Sequence, residues 1–398
     1  MGNVILKKDY KKTIFNLLKL PLYILSSLIP KKSNLIVLGS SKGQHFADNS
    51  KYLYSYLKDM EEKRVNELDF YWITKNKELA NKYSSDKRFI YGYTLKGMYV
   101  LLRARIAVLT HSIEDLPSHL MGRKKIIQLW HGTPLKKIGY DADSWDERGK
   151  IKNSLKKAIN KIFPYMDYMK CNYLVVASDQ VKDSFETAFK ISKDKMITLG
   201  QPRNDLFEEG KVIDAESRLA GYQKIISWLP THRGFSDYTI VDLLKDYKFN
   251  EEKINEFLKK KKYLLVIKPH FVEKGELSKY LKGSSNILVY DEADPYPLLT
   301  QSEILITDYS SIFFDYMLTD RKIIFAPFDY EFYTKKVANL YYDYKDIACG
   351  DICLDWEEIC DHLDSNGENS TKYKSIKRTF NKYDFGNCER VYEFIKKI

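Results

Sequence analysis

Short apolar runs alternate with stretches of helical spacing along almost the whole chain, and this alternation limits the possible folds more than any other feature. NLIVL (34–38), DFYWIT (69–74), IAVLT (106–110), KIIQL (125–129) and YLVVA (173–177) form a first series of strand candidates. KIISWL (224–229), YLLVIK (263–268), NILVY (286–290), EILIT (303–307) and KIIFA (322–326) form a second. Between them NSKYLYSYL, QVKDSFETAF and SSIFFDYML carry apolar residues at helical intervals. Strands separated by helices read as parallel α/β architecture. Two such series in 398 residues, about two domains' worth of chain, predict two doubly wound domains facing a cleft. The boundary is expected between Asn204 and Gln223, where polar and charged residues replace the apolar pattern. We therefore divide the chain into 1–33, 34–210, 211–375 and a helical segment, 376–398, that can pack back on the first domain.

Charge narrows the partners. The 65 basic residues outnumber the 54 acidic ones, for a net charge of +11, which favours anionic partners such as nucleic acid, lipid or phosphorylated substrates. The five cysteines include no CxxC pair and no histidine at zinc-ligand spacing, which suits reduced thiols and no metal site. TIFNLLKLPLYILSSLI (13–29) lies between Lys7, Lys8, Lys11, Lys12 and Lys31, Lys32. It is shorter than the ~20 apolar residues a spanning helix needs, and it contains Lys19 and Pro21. Lys12, Asn16, Lys19, Ser26 and Ser27 share one arc of a helical projection. Two readings are open: a kinked helix in the headgroup region of an anionic membrane, or a helix packed on the protein's own surface.

In open parallel sheets ligands bind beyond the carboxyl ends of the strands, so the residues after each run are the informative ones. KIIQL is followed by Trp130, His131, Gly132, Thr133, Pro134 and then Lys136 and Lys137. A histidine held in a Gly/Pro turn is suited to proton transfer near neutral pH. The alternative is an imidazole hydrogen-bonded within the turn. YLLVIK ends in Lys268 and runs into Pro269 and His270, a second histidine at the equivalent place in the second domain. After KIISWL come Thr231, His232 and Arg233, and GQPRND places Arg203 after a strand ending near Leu199. Arginine and hydroxyl donors suit phosphate, although either loop can equally be solvated with an incidental arginine. After EILIT, Asp308, Ser310 and Ser311 mark a helix start, which either caps the helix or receives an anion. Together these groups suit a diphosphate, with a histidine to remove a proton.

The blocks WHGTPLKKIGYD, GQPRND, PTHR and ITDYSSIFFDYMLTDRKIIFAPFD, in that order, resemble the CDP-glycerol glycerophosphotransferase family over about 34–333. That family contains teichoic acid primases and polymerases and related capsule enzymes. The resemblance implies a GT-B-like α/β fold, with an acceptor-side first domain and a CDP-donor-binding second domain. It implies a CDP-glycerol or related CDP-polyol donor and no tightly bound cofactor. The acceptor would be an undecaprenyl-linked saccharide or polymer, at the cytoplasmic face of a membrane. By the family's pattern His131 is the base and His270 acts at the diphosphate. Arg233, Thr231, Lys268, Asp308, Ser310, Ser311 and Arg203 then hold the donor, and Gly132, Thr133 and Lys136 lie on the acceptor side. One departure is KPH where familiar members have an arginine two residues before the histidine, which leaves that task to Lys268. Three rivals remain: a GT-B glycosyltransferase using a nucleotide sugar, a nucleic-acid-binding protein, and a non-catalytic scaffold at a membrane surface. The dispersal of basic and aromatic residues speaks against a nucleic-acid groove.

Overall fold

The computed structural model describes residues 18–142, 163–208, 219–234, 238–270, 272–365 and 370–398. Seven strands form the first sheet: β1 (Lys32–Gly39), β2 (Asp69–Thr74), β3 (Phe89–Tyr91), β4 (Ala104–Leu109), β5 (Lys125–Gln128), β6 (Tyr173–Val176) and β7 (Met196–Thr198). Six form the second: β8 (Lys224–Leu229), β9 (Tyr263–Ile267), β10 (Ile287–Val289), β11 (Ile304–Thr307), β12 (Lys322–Phe325) and β13 (Asp351–Ile352). Each apolar run coincides with a strand to within two residues at either end; β3 and β13, short and at sheet edges, carry no comparable sequence signal.

The strand orders are β3-β2-β1-β4-β5-β6-β7 and β10-β9-β8-β11-β12-β13, and the pairs are parallel. Both orders reverse beside the first strand of the series, so each sheet has a switch point, between β1 and β4 and between β8 and β11. Ligands bind at such points because the loops on either side diverge and leave a crevice.

Helices cover the sheets. Helix α1 (Leu20–Leu28) precedes β1, α2 (Asp48–Glu62) follows it, and α3 (Leu95–Arg103) leads into β4. On one face of the first sheet Ile36, Leu38 and Phe70 pack with Leu53 and Leu57 of α2; on the other Val37, Ala107 and Leu109 pack with Val100 and Leu101 of α3. Helix α4 (Lys182–Phe189) lies in the first lobe, and α5 (Ile240–Asp246) and α6 (Glu251–Lys261) cover the second sheet. The short α7 (Ile312–Tyr316) follows β11, and α8 (Thr371–Phe380) and α9 (Asn387–Lys397) close the described chain. Helix α9 returns to the first lobe, where Val391, Tyr392 and Ile395 join Leu53, Phe70 and Val175. One further apolar cluster spans both lobes, joining Trp130, Leu174 and Phe185 to Leu305, Tyr309 and Phe325.

The described part of the amino-terminal segment packs on the protein's own surface, one of the two forms expected of it. Pro21 sits in the first turn of α1, where a missing N–H costs nothing. Ser26 is fully buried and accepts the Gly122 N–H at 2.9 Å, while Lys31 Nζ donates to the Ser26 and Leu102 carbonyls. The polar arc thus faces inward, and Leu22, Ile24, Leu25 and Leu28 face solvent. Lys7, Lys8, Lys11, Lys12 and Asn16 lie outside the described residues, as does 209–218 of the expected boundary.

Candidate active site

The ends of β4 and β5 deliver two imidazoles side by side. His111 directly follows the IAVLT run, and its ring stacks on His131 at 4.4 Å with an interplanar angle of 12°. Trp130 holds a left-handed backbone (φ 54°) that turns His131 out of the strand. Such a conformation costs about 1–3 kcal/mol in a residue other than glycine. It is held by the Asn49 side chain donating to the Trp130 carbonyl (2.7 Å) and by Trp130 N–H donating to Gln128 Oε1 (3.0 Å). The His131 side chain is exposed, yet the groups around it strip water from its charged form. That desolvation, with His111 and Arg203 nearby, holds its pKa well below the ordinary imidazole range, against a smaller upward pull from Asp48. The ring is therefore neutral and able to accept a proton.

The second lobe repeats the arrangement. His270, at the end of β9, stacks on His232 from the loop after β8 at 4.6 Å and 11°. Burial, His232, Lys268 and Lys136 keep His270 below its ordinary pKa. Both rings line a cleft of about 580 Å³ together with Thr231, Lys268, Lys274, Tyr290, Ser310 and, from the first lobe, His45 and Lys136. Lys268 Nζ donates to the Glu292 carbonyl at 2.6 Å. Lys136, expected on the acceptor side, lines this cleft with the second-lobe residues; burial pushes its pKa down to about 8. The loop that carries Lys136 is pinned to the other lobe through Lys137 N–H to Asn339 carbonyl and Tyr341 N–H to Leu135 carbonyl.

Several expected phosphate ligands have other tasks. Arg233 is 2% exposed and directs its guanidinium to Asp329 (2.7 and 3.0 Å), Asp308 (2.6 Å) and the Thr231 carbonyl. Asp308, 1% exposed, accepts from Arg233 and from the Thr231 and Tyr309 N–H groups. Arg203, also 2% exposed, bridges Asp48 and Asp315 at 2.6 Å each. Buried charges must be paired because desolvation is so costly, and these three residues are tied into such pairs between loops. Thr133 is buried, its hydroxyl without a hydrogen-bond partner among the described residues. Gly132 is closed off too: a Cβ there would lie 2.6 Å from Ser311 Oγ, so Ser311 faces the first lobe. Helix α7 has five residues, and Ser310 Oγ lies 3.4 Å from the Ile312 N–H, which leaves Ser310 lining the cleft at a short helix start.

Sequence reading missed His111 and His45. His111 obeys the same strand-end rule that singled out His131, so its signal was present; His45 lies on a turn whose direction only the fold sets.

Two parallel sheets in Rossmann order, their loaded strand ends meeting at one cleft, define a GT-B-type transferase. The family of CDP-glycerol:poly(glycerophosphate) glycerophosphotransferases matches residues 22–397, and the chain belongs to it. It is 30% identical over 347 residues to a teichoic acid poly(glycerol phosphate) polymerase of Bacillus spizizenii, covering 84% of both chains. To a teichoic acid glycerol-phosphate primase of Bacillus subtilis it is 28% identical, covering 77% of both. The fold is that of the wall teichoic acid polymerase TagF: TM-score 0.72 at 21% identity, over 98% of this chain and 97% of that one. Family membership selects the glycerophosphotransferase reading over the nucleotide-sugar one.

Proposed function

We propose that this protein transfers glycerol phosphate from CDP-glycerol to a hydroxyl of a lipid-linked saccharide or growing glycerophosphate polymer, releasing CMP. The neutral imidazole of His131, together with a cleft lined with lysines and histidines from both lobes, is the observation that carries the reading. His131 removes the proton of the acceptor hydroxyl as its oxygen attacks the phosphorus bearing the glycerol. The bond from that phosphorus to the bridging oxygen breaks, and CMP leaves with the electron pair. Lys136, Lys268 and His270 meet its charge, with Thr231 and Ser310 as hydroxyl donors; positioning and electrostatics supply most of such catalysis. Arrival of the diphosphate adds negative charge near His131 and raises its basicity towards the working range.

The same reading places the protein at the cytoplasmic face of the membrane, where an undecaprenyl-linked acceptor presents its headgroup. Among the described residues no helix is long and apolar enough to cross a membrane. Support for a peripheral site comes from the outward leucines of α1 and from Leu95 and Tyr99 of α3, 84% and 64% exposed, since both helices pack on the turn Ser118–Leu120. An apolar face bordered by lysines suits the interface of an anionic bilayer.

The test is a panel of CDP-glycerol, CDP-ribitol and UDP-sugars with a lipid-linked acceptor analogue, reading released nucleotide and product mass. CMP formation with CDP-glycerol is expected, and His131→Ala should lower it ~10²–10⁴-fold with thermal unfolding unchanged. Release of UDP with CDP-glycerol inert would overturn the reading, and near-normal turnover of the variant would remove the base.

A further inference from the structure

The loop after β1 borders the first switch point, and the mechanism above makes no use of it. Ser41 and Lys42 hold left-handed backbones there (φ 50° and 54°), and so does Asp48 where the loop ends (φ 65°). Residues with side chains keep such angles only where their surroundings impose them, and such places gather at ligand clamps and active sites. The Ser41 N–H donates to His111 Nδ1 at 3.1 Å and the Lys42 N–H to Asp115 Oδ1 at 2.8 Å. The Gly43 carbonyl accepts from the Thr74 hydroxyl and the Lys75 N–H, at 2.8 Å each. Farther on, Phe46 packs into an aromatic cluster, edge-on to Trp72 at 4.7 Å.

Between the clamped backbone at 41–43 and the packed ring of Phe46 stands His45. It is exposed, it lines the cleft, and no described residue hydrogen-bonds its ring. Among the described residues only His45 and Lys136 border that cleft from the first lobe, and their chemistry differs. As an ammonium Lys136 can only donate, whereas a neutral imidazole offers one donor and one acceptor. Desolvation in the cleft, with His111 on its own lobe and Lys268 on the other, keeps His45 below its ordinary pKa and so neutral.

Resting on the proposed reaction, we infer that His45 is a specificity-determining residue that hydrogen-bonds the hydroxyls of the glycerol being transferred. In an in-line displacement the transferred group lies between the leaving CMP, held by the second lobe, and the acceptor oxygen activated by His131 on the first. A residue that reads this group from the acceptor's side must reach the cleft from the first lobe without the charge that a phosphate would claim. His45 meets both conditions. The stack of His111 on His131 and the bond from Ser41 to His111 also tie its loop to the base. Each hydroxyl of a vicinal diol can donate and accept, so one ring can accept from the first and donate to the second. A site that pairs a substrate hydroxyl discriminates against ligands lacking it, because its own polar groups are then left unpaired.

The experiment compares the full chain with His45→Ala and with His45→Gln, which keeps a donor and an acceptor. Calorimetry measures binding of CDP-glycerol and of CDP, which lacks the polyol. CMP release from CDP-glycerol and from CDP-ribitol gives kcat/KM, and thermal unfolding accompanies both. His45→Ala is expected to bind CDP-glycerol roughly tenfold more weakly and to bind CDP as the wild type does. Its ratio of kcat/KM values for the two polyols should change about threefold or more, with His45→Gln restoring most of the binding and unfolding unaltered. Equal weakening of CDP and CDP-glycerol would overturn the inference by placing His45 at the diphosphate, and so would unchanged binding of both. A wild type that releases no CMP from either CDP-polyol overturns the reaction on which the inference rests. A wild type that does release it, beside a His45→Ala chain of normal discrimination, overturns the inference alone.

Discussion

At Gly132 a backbone φ of +157° that side-chain-bearing residues rarely adopt is combined with Ser311 Oγ lying 2.6 Å from where a Cβ would be. The glycine sets how far His131 stands from the second lobe. Gly132→Ala should push the loop away, costing about 1–3 kcal/mol of stability in overpacking. A 1 Å displacement of a catalytic group can cost ~10²-fold, so CMP formation should fall by 10-fold or more. Adding Ser311→Gly to the same chain removes the hydroxyl contact but not the backbone strain, so it should recover only part of the rate; thermal unfolding and CMP assays on the two variants check this. Residue type pointed to His131 and His270, because a histidine after an apolar run is visible in sequence. The ion pairs of Arg203 and Arg233 were not visible in sequence, for an equally physical reason. Their partners Asp48 and Asp315 lie 155 and 112 residues from Arg203, and Asp329 lies 96 from Arg233. An arginine awaiting phosphate and one already paired with carboxylates look alike until the chain is folded.

At the scale of elements, the loops after β8 and β11 flank the second switch point and are tied by one buried network, Asp308–Arg233–Asp329. Asp308 also holds the Thr231 N–H, so it shapes the strip of loop that borders the cleft. Removing one partner of a buried ion pair leaves a bare charge and costs about 3–5 kcal/mol. Asp308→Ala should lower unfolding stability by that amount in urea titrations and weaken CDP-glycerol binding as a consequence. Asp308→Asn, which retains an acceptor, should do less of both. Weakened binding at unchanged stability would mean that Asp308 touches the donor directly. The strand runs were legible because a buried strand needs only a few consecutive apolar residues. β3 and β13, at three and two residues, exist by pairing at a sheet edge, which leaves little trace in composition.

Across the whole molecule, the lobes are joined by apolar packing, by Arg203 between Asp48 and Asp315, and by α9, which follows the second lobe in sequence and packs on the first. The Asn387 and Cys388 N–H groups at the start of α9 both donate to the buried Asp205 carboxylate, at 2.8 Å each. Deleting 387–398 exposes the sites of Val391, Tyr392 and Ile395, a loss on the order of 5 kcal/mol or more. Native proteins are stable by only ~5–15 kcal/mol, so the shortened chain should lose cooperative unfolding and become sensitive to protease at temperatures where the full chain resists. Circular dichroism melts and limited proteolysis check it.

By itself the sequence determined the two α/β series, the strand ends that bear chemistry and the ordered blocks of the family, because each is written in residues adjacent along the chain. Only the tertiary structure decided which cations are free for a ligand, which histidines pair, and that Lys136 crosses to the other lobe. Those outcomes depend on partners far apart in the chain, and burial alone determines whether a charge must be neutralised within the protein or is left to meet a substrate.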